Sequence, residues 1–140
     1  MICQHRILTQ KTFIMKTTEM VLNFLKQQGF CPEVDPDNGN ILFKFQMASF
    51  LFVNNDEDEE FFQLVMPNIF DVTEDNREVA LEAANKMNFS IKVVKACIVN
   101  DGIWLFFENL LDKTPDVSDI LPRALQILQA ARQQYYQNIN

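Results

Sequence analysis

The sequence predicts an α+β domain in which three helices pack on a five-stranded, mainly antiparallel sheet, in the order α-β-β-β-α-β-β-α. Three observations predict it. Apolar residues recur at helical spacing in three stretches, near the start, the middle and the end of the chain. Five runs rich in Phe, Ile, Leu and Val lie between them as strand candidates. Neighbouring runs are joined by a few residues only, which suits antiparallel pairing and not a parallel crossover.

The first helix is expected over Thr18 to Gln28, where Val21, Phe24, Leu25 and Gln28 fall at i, i+3, i+4 and i+7. Gly29 supplies the left-handed residue that ends a helix, with Phe30 folding back toward Leu25. Asp35-Pro36-Asp37-Asn38-Gly39 reads as a turn, Gly39 being suited to positive φ. Ile41 to Gln46 alternates, with Ile41, Phe43 and Phe45 on one face and Lys44 and Gln46 on the other. Ser49 to Asn54 and Phe61 to Met66 are apolar at consecutive positions, so neither face of those strands reads as wet. Met47-Ala48 and Asn55 to Glu60 are the connections.

Thr73 is the expected N-cap of a second helix reaching about Asn88, with Glu74 and Asp75 in its first turn. Val79, Ala80, Ala83, Ala84 and Met87 form its inner side, a small-residue face that allows close approach. Ile91 to Val99 and Ile103 to Asn109 follow as strands, joined at Asn100-Asp101-Gly102, a strong tight-hairpin signal. The last helix is expected to start near Ser118 as its cap, with Pro122 in the first turn. Ile120, Leu121, Ala124, Leu125, Leu128, Ala131 and Tyr135 track its buried face. Residues 17–140 read as one domain. Residues 1–16 read as an extension, disordered or not native, with Met15 as a candidate natural start.

Composition removes several function classes. The net charge is −7, from 19 acidic and 12 basic residues, and Lys and Arg are scattered. Such a surface repels phosphate backbones and anionic lipid, so neither nucleic acid nor membrane is an expected partner. No apolar run approaches the ~20 residues of a membrane span. Cys3, Cys31 and Cys97 form no CxxC or CxxH spacing, which reads as reduced thiols in a cytoplasmic protein, not a disulfide frame or a zinc site.

Candidate chemistry is sparse. Asp56-Glu57-Asp58-Glu59-Glu60 offers carboxylates for a hard cation, but no glycine allows an EF-hand turn; a solvated, aggregation-resisting loop is the better reading. His5 is the one histidine, and with Cys3 it lies in the extension, which cannot hold a catalytic base rigidly. Glu82 and Glu108 have no sign of a partner acid. The three glycines, at 29, 39 and 102, make no phosphate loop. No catalytic residue, metal or cofactor is therefore assigned. The remaining signal is aromatic: Ile103-Trp104-Leu105-Phe106-Phe107 and Phe61-Phe62-Gln63-Leu64-Val65-Met66 are apolar on both faces, while three helices cover one. Trp104, Phe106, Phe62 and Leu64 are the candidate partner-binding residues. The alternative is that helices or a second subunit cover both faces.

The element order in an acidic chain of this size resembles the type III secretion chaperone-like fold, and more closely the YbjN-like bacterial family. Val21-Leu22-Asn23-Phe24-Leu25-Lys26-Gln27-Gln28-Gly29-Phe30 carries the resemblance, with Ala80-Leu81-Glu82-Ala83-Ala84-Asn85-Lys86-Met87-Asn88, Lys92 to Ala96, and Asn100-Asp101-Gly102. It spans about Thr17 to Tyr135. The resemblance implies dimerisation, an extended client segment held on apolar patches, or a regulatory role, and no family active site. The expected function is thus a non-enzymatic interaction module, a homodimer with a protein client or regulatory partner; the alternative is a domain sensing a small molecule in a pocket between sheet and helices.

Overall fold

In the computed structural model, which describes residues 15–140, the first described element is helix α1, Thr17–Gln27. Its first turn is anchored from outside: Glu59 Oε2 accepts from the Thr17 N–H at 3.0 Å, and Thr17 Oγ1 donates to the Glu59 carbonyl at 2.6 Å. Its end is the expected one. Gly29 sits at φ +86°, its N–H donates to the Lys26 carbonyl, and the Phe30 N–H donates to the Leu25 carbonyl at 3.0 Å. Those two bonds make a Schellman motif and satisfy carbonyls the helix would otherwise leave open.

Among the described residues six strands follow, not five: β1 Glu33–Val34, β2 Ile41–Phe45, β3 Ala48–Phe52, β4 Phe61–Asp71, β5 Val94–Val99 and β6 Gly102–Leu110. The additional strand is β1, two residues that pair with Leu42 and Ile41 across the Asp35–Asn40 turn. The sheet order is β1-β2-β3-β4-β6-β5, antiparallel at every pairing. Helix α2, Arg77–Ser90, joins β4 to the edge strand β5, and α3, Val117–Ile139, closes the chain.

Both two-residue hairpins turn on side-chain-bearing residues in the left-handed region. Gln46 and Met47 sit at φ +49° and +66°, and Asn100 and Asp101 at +48° and +62°, the signature of type I′ turns. The β2–β3 turn is therefore Gln46-Met47, one residue earlier than expected. Gly102 serves a different purpose from a turn glycine: a Cβ there would lie 2.8 Å from Asn68 Cγ. Asn68 itself stands at φ +42° inside a β-bulge between Met66 and Phe70, which admits Pro67 into a strand paired on both sides.

Two helix starts differ from expectation. Thr73 lies in a turn, its N–H donating to Asn76 Oδ1, and α2 begins only at Arg77 with Asn76 as its cap residue. Val79 points outward while Ala80, Ala83, Ala84 and Met87 are buried. Asp116, not Ser118, caps α3, accepting from the Ser118 N–H at 3.0 Å. Pro122 thus falls in the second turn and removes the bond that the Ser118 carbonyl would accept.

The three helices of the described residues all lie on one side of the sheet. Ile41, Phe43, Phe50, Phe52, Phe62, Leu64, Met66, Ile103, Leu105 and Phe107 meet Val21, Leu25, Met87, Leu121, Leu128 and Tyr135 in one core. Phe52, Phe62 and Phe107 pack edge to face at centroid spacings of 5.2 and 5.9 Å, a geometry that matches ring edges to ring faces. Tyr135 is buried, and its hydroxyl donates to the Ala80 carbonyl at 3.1 Å, tying α3 to α2.

Candidate functional site

Alternation along the strands sends every second side chain away from the helices. On β6 those are Trp104, Phe106, Glu108 and Leu110; on β4, Phe61, Gln63 and Val65; on β3, Leu51; on β2, Leu42 and Lys44; on β5, Lys95 and Cys97. No element covers this face among the described residues. Trp104 and Phe106 are half-buried by each other, their rings 6.4 Å apart and 25° from parallel. Val65 is paired with Leu51 on one side and Phe106 on the other and is only 1% exposed, so the centre of the face is already dry.

Two of the four sequence-predicted residues are corrected. Phe62 and Leu64 point to the helix side and are fully buried in the core, so they present nothing to a partner. The physical reason is period two: in a strand that is apolar at successive positions, Phe62 and Leu64 share one face while Phe61, Gln63 and Val65 share the other. Trp104 and Phe106 do lie together on the uncovered face.

Polar groups edge the aromatic pair. Lys95 Nζ stands 5.7 Å from the Phe106 ring centroid and 2.8 Å from Glu108 Oε1, while Gln63 Nε2 donates to Glu108 Oε2 at 2.7 Å. The hydrogen bond to Glu108 raises the Lys95 pKa, partial burial opposes it, and attraction to the carboxylate adds to the rise. The ammonium is thus held charged over the ring, a cation–π arrangement. Sequence reasoning missed this Lys95–Glu108–Gln63 group, since contacts spread over three strands, Gln63 opposite Glu108 and Lys95 diagonal to it, have no signature along the chain. Glu82 stays exposed on α2.

The acidic run behaves mainly as a loop. Glu59 anchors α1, Asp56 accepts from Asn54 Nδ2 at 3.2 Å, and no group of three His, Cys, Asp or Glu is placed to hold a metal ion among the described residues. Cys31 and Cys97 are free thiols; Cys3 and His5 lie outside the described residues, as does the expected extension up to residue 14.

One cleft, about 370 Å³, opens between the end of β6 and the start of α3, with Phe107, Leu111, Ile120 and Ile127 as its apolar lining. Its carboxylates are locally engaged: Asp112 accepts from the Thr114 N–H, Asp116 caps α3, and Asp119 meets Arg123 at 3.5 Å. Compared with family models and with curated proteins, the chain matches none.

Proposed function

We propose that the chain is a non-enzymatic protein-interaction module of the YbjN-like, secretion chaperone-like kind, associating as a homodimer or with a protein segment through the open sheet face. One observation carries the reading: a sheet face that no helix of the described residues covers, with Trp104 and Phe106 stacked on it. Stacked aromatics supply large contact area at small side-chain entropy cost, and such anchors dominate protein interfaces. The charged groups on the face are Lys44 and Lys95 against Glu108, the neighbouring Glu33 and Asp71 at the far end of β4, a sum of −1 in a chain of net charge −7. Two acidic molecules meet least repulsion at such a surface.

Trp104 is the single tryptophan, so its fluorescence reports on the face directly. Sedimentation and emission spectra over a dilution series test the reading, with Phe106→Ala beside the parent. The parent should associate, with itself or with captured client, as its emission shifts to shorter wavelength. Phe106→Ala should bind about tenfold more weakly, equivalent to about 1.4 kcal/mol. A parent that stays monomeric and captures the same proteins as Phe106→Ala refutes it.

The cleft between β6 and α3 favours a second reading, a regulatory domain sensing a small apolar molecule. A ligand screen by thermal shift that finds no stabiliser counts against that one.

A further inference from the structure

Among the described residues the sheet has two free edges, β1 and β5, and β5 is the exposed length of backbone that invites pairing. In an antiparallel ladder, residues alternate between bonding their neighbour strand and pointing away from it. Ala96, opposite Leu105, is one that points away: its N–H donates to Asn88 Oδ1 at 2.7 Å, and its carbonyl accepts from Asn88 Nδ2 at 3.2 Å. A side-chain amide has the same donor and acceptor as a peptide unit. Asn88 therefore occupies the place that a residue of an added strand would take. It comes from α2, two residues before the helix ends at Ser90, and bonds a strand residue eight positions on.

We propose that Asn88 is an edge guard: its amide stands in for a neighbouring strand at the middle of β5 and keeps the sheet from extending through that edge. The other edge is closed differently. β1 has only two residues, one of them Glu33, and runs directly into Asp35-Pro36-Asp37, which cannot continue a ladder. With both edges closed, the aromatic face is where association is directed. Without Asn88, the outward groups of Val94, Ala96 and Ile98 form one uninterrupted row able to pair with the same row of a second copy. A mere staple between helix and strand would be lost alike in any variant that breaks the two bonds. A guard is lost only in variants that leave the edge open.

The full chain carrying Asn88→Ala or Asn88→Asp tests this, each also in a Phe106→Ala background so that association through the face is accounted for separately. Asn88→Asp retains an acceptor for the Ala96 N–H and places a charge on the edge, so it breaks half the contact without opening the row. Sedimentation velocity should show concentration-dependent oligomers for Asn88→Ala in both backgrounds and none beyond the parent's for Asn88→Asp. At dilutions where Asn88→Ala stays unassociated, exchange of the Ala96 amide should quicken at least tenfold, while the Lys95 and Cys97 amides, bonded within the sheet, hold their rates. Equal oligomerisation of both variants, or an Asn88→Ala that sediments as its parent does, overturns the proposal. If Asn88→Ala does not fold, Asn88→Asp decides: a protected Ala96 amide without added association supports the guard, and an unprotected or associated one refutes it.

Discussion

Raising the pH should weaken this fold through one phenol, that of Tyr135. The side chain is fully buried where α3 crosses α2, its ring 5.8 Å from Phe70 and its hydroxyl donating to the Ala80 carbonyl. Burial pushes its pKa from 10.0 up to about 12, because a phenolate there would lose its water. The unfolded chain ionises near 10 and the folded one near 12, so the neutral phenol's stabilisation is complete below pH 10 and is lost progressively up to about pH 12. At 1.36 kcal/mol per unit, that loss reaches about 2–3 kcal/mol. Urea unfolding at pH steps from 7 to 12 measures it, with Tyr135→Phe as the reference. At pH 7, Tyr135→Phe should cost about 0.5–1.5 kcal/mol for the missing hydrogen bond. Its deficit should shrink and then reverse as the pH rises, since Phe cannot ionise. Parallel pH profiles for the two proteins would refute the burial argument.

Two further substitutions probe the backbone. Met47→Gly should stabilise the β2–β3 hairpin by about 1 kcal/mol, because a left-handed L-residue costs about 1–2 kcal/mol and glycine gives part of that back as chain entropy. The Met47 side chain is fully exposed and gives up no packing, so urea midpoints read the turn alone. Gly102→Ala should cost about 1–2 kcal/mol by displacing the Asn68 amide from Asp71 Oδ1, a 3.2 Å hydrogen bond. In an Asn68→Gly background most of that cost should vanish, and a cost that persists there would place the strain elsewhere.

Much of the fold is legible along the chain where one residue decides the local geometry. Gly29 terminates α1 as expected, Gly39 takes φ +78°, and the Leu121–Tyr135 stripe is the buried stripe of α3. Legibility fails where the deciding partner is distant. Thr73 has the chemistry of a cap, but Asn76 reaches back to bind its N–H and the Asp71 carbonyl, delaying the helix to Arg77. β1 is two residues whose strand character comes wholly from Ile41 and Leu42. For the candidate site, Phe62 and Trp104 look alike in sequence, each in a strand apolar on both sides. Which side is wet depends on where three helices dock, and that is tertiary information. Asn88 carries no pattern at all until β5 is seen beside it.

The chain order of the sheet also has a kinetic side. β1 to β4 form one continuous meander and β5–β6 one tight hairpin, so each half can form from contacts close in sequence. The two meet only along β4 and β6, where Phe61 stands opposite Leu110 with all of α2 in the intervening loop. Closing that loop costs entropy before any of its contacts reward it, and such steps set folding rates. The β4–β6 seam is therefore the expected bottleneck: truncating Leu64 or Phe107 should slow folding, whereas Phe50→Leu within the meander should chiefly speed unfolding, as chevron arms would distinguish. By the same reasoning the seam is still joined at the unfolding barrier and parts only after it, baring apolar side chains on both halves.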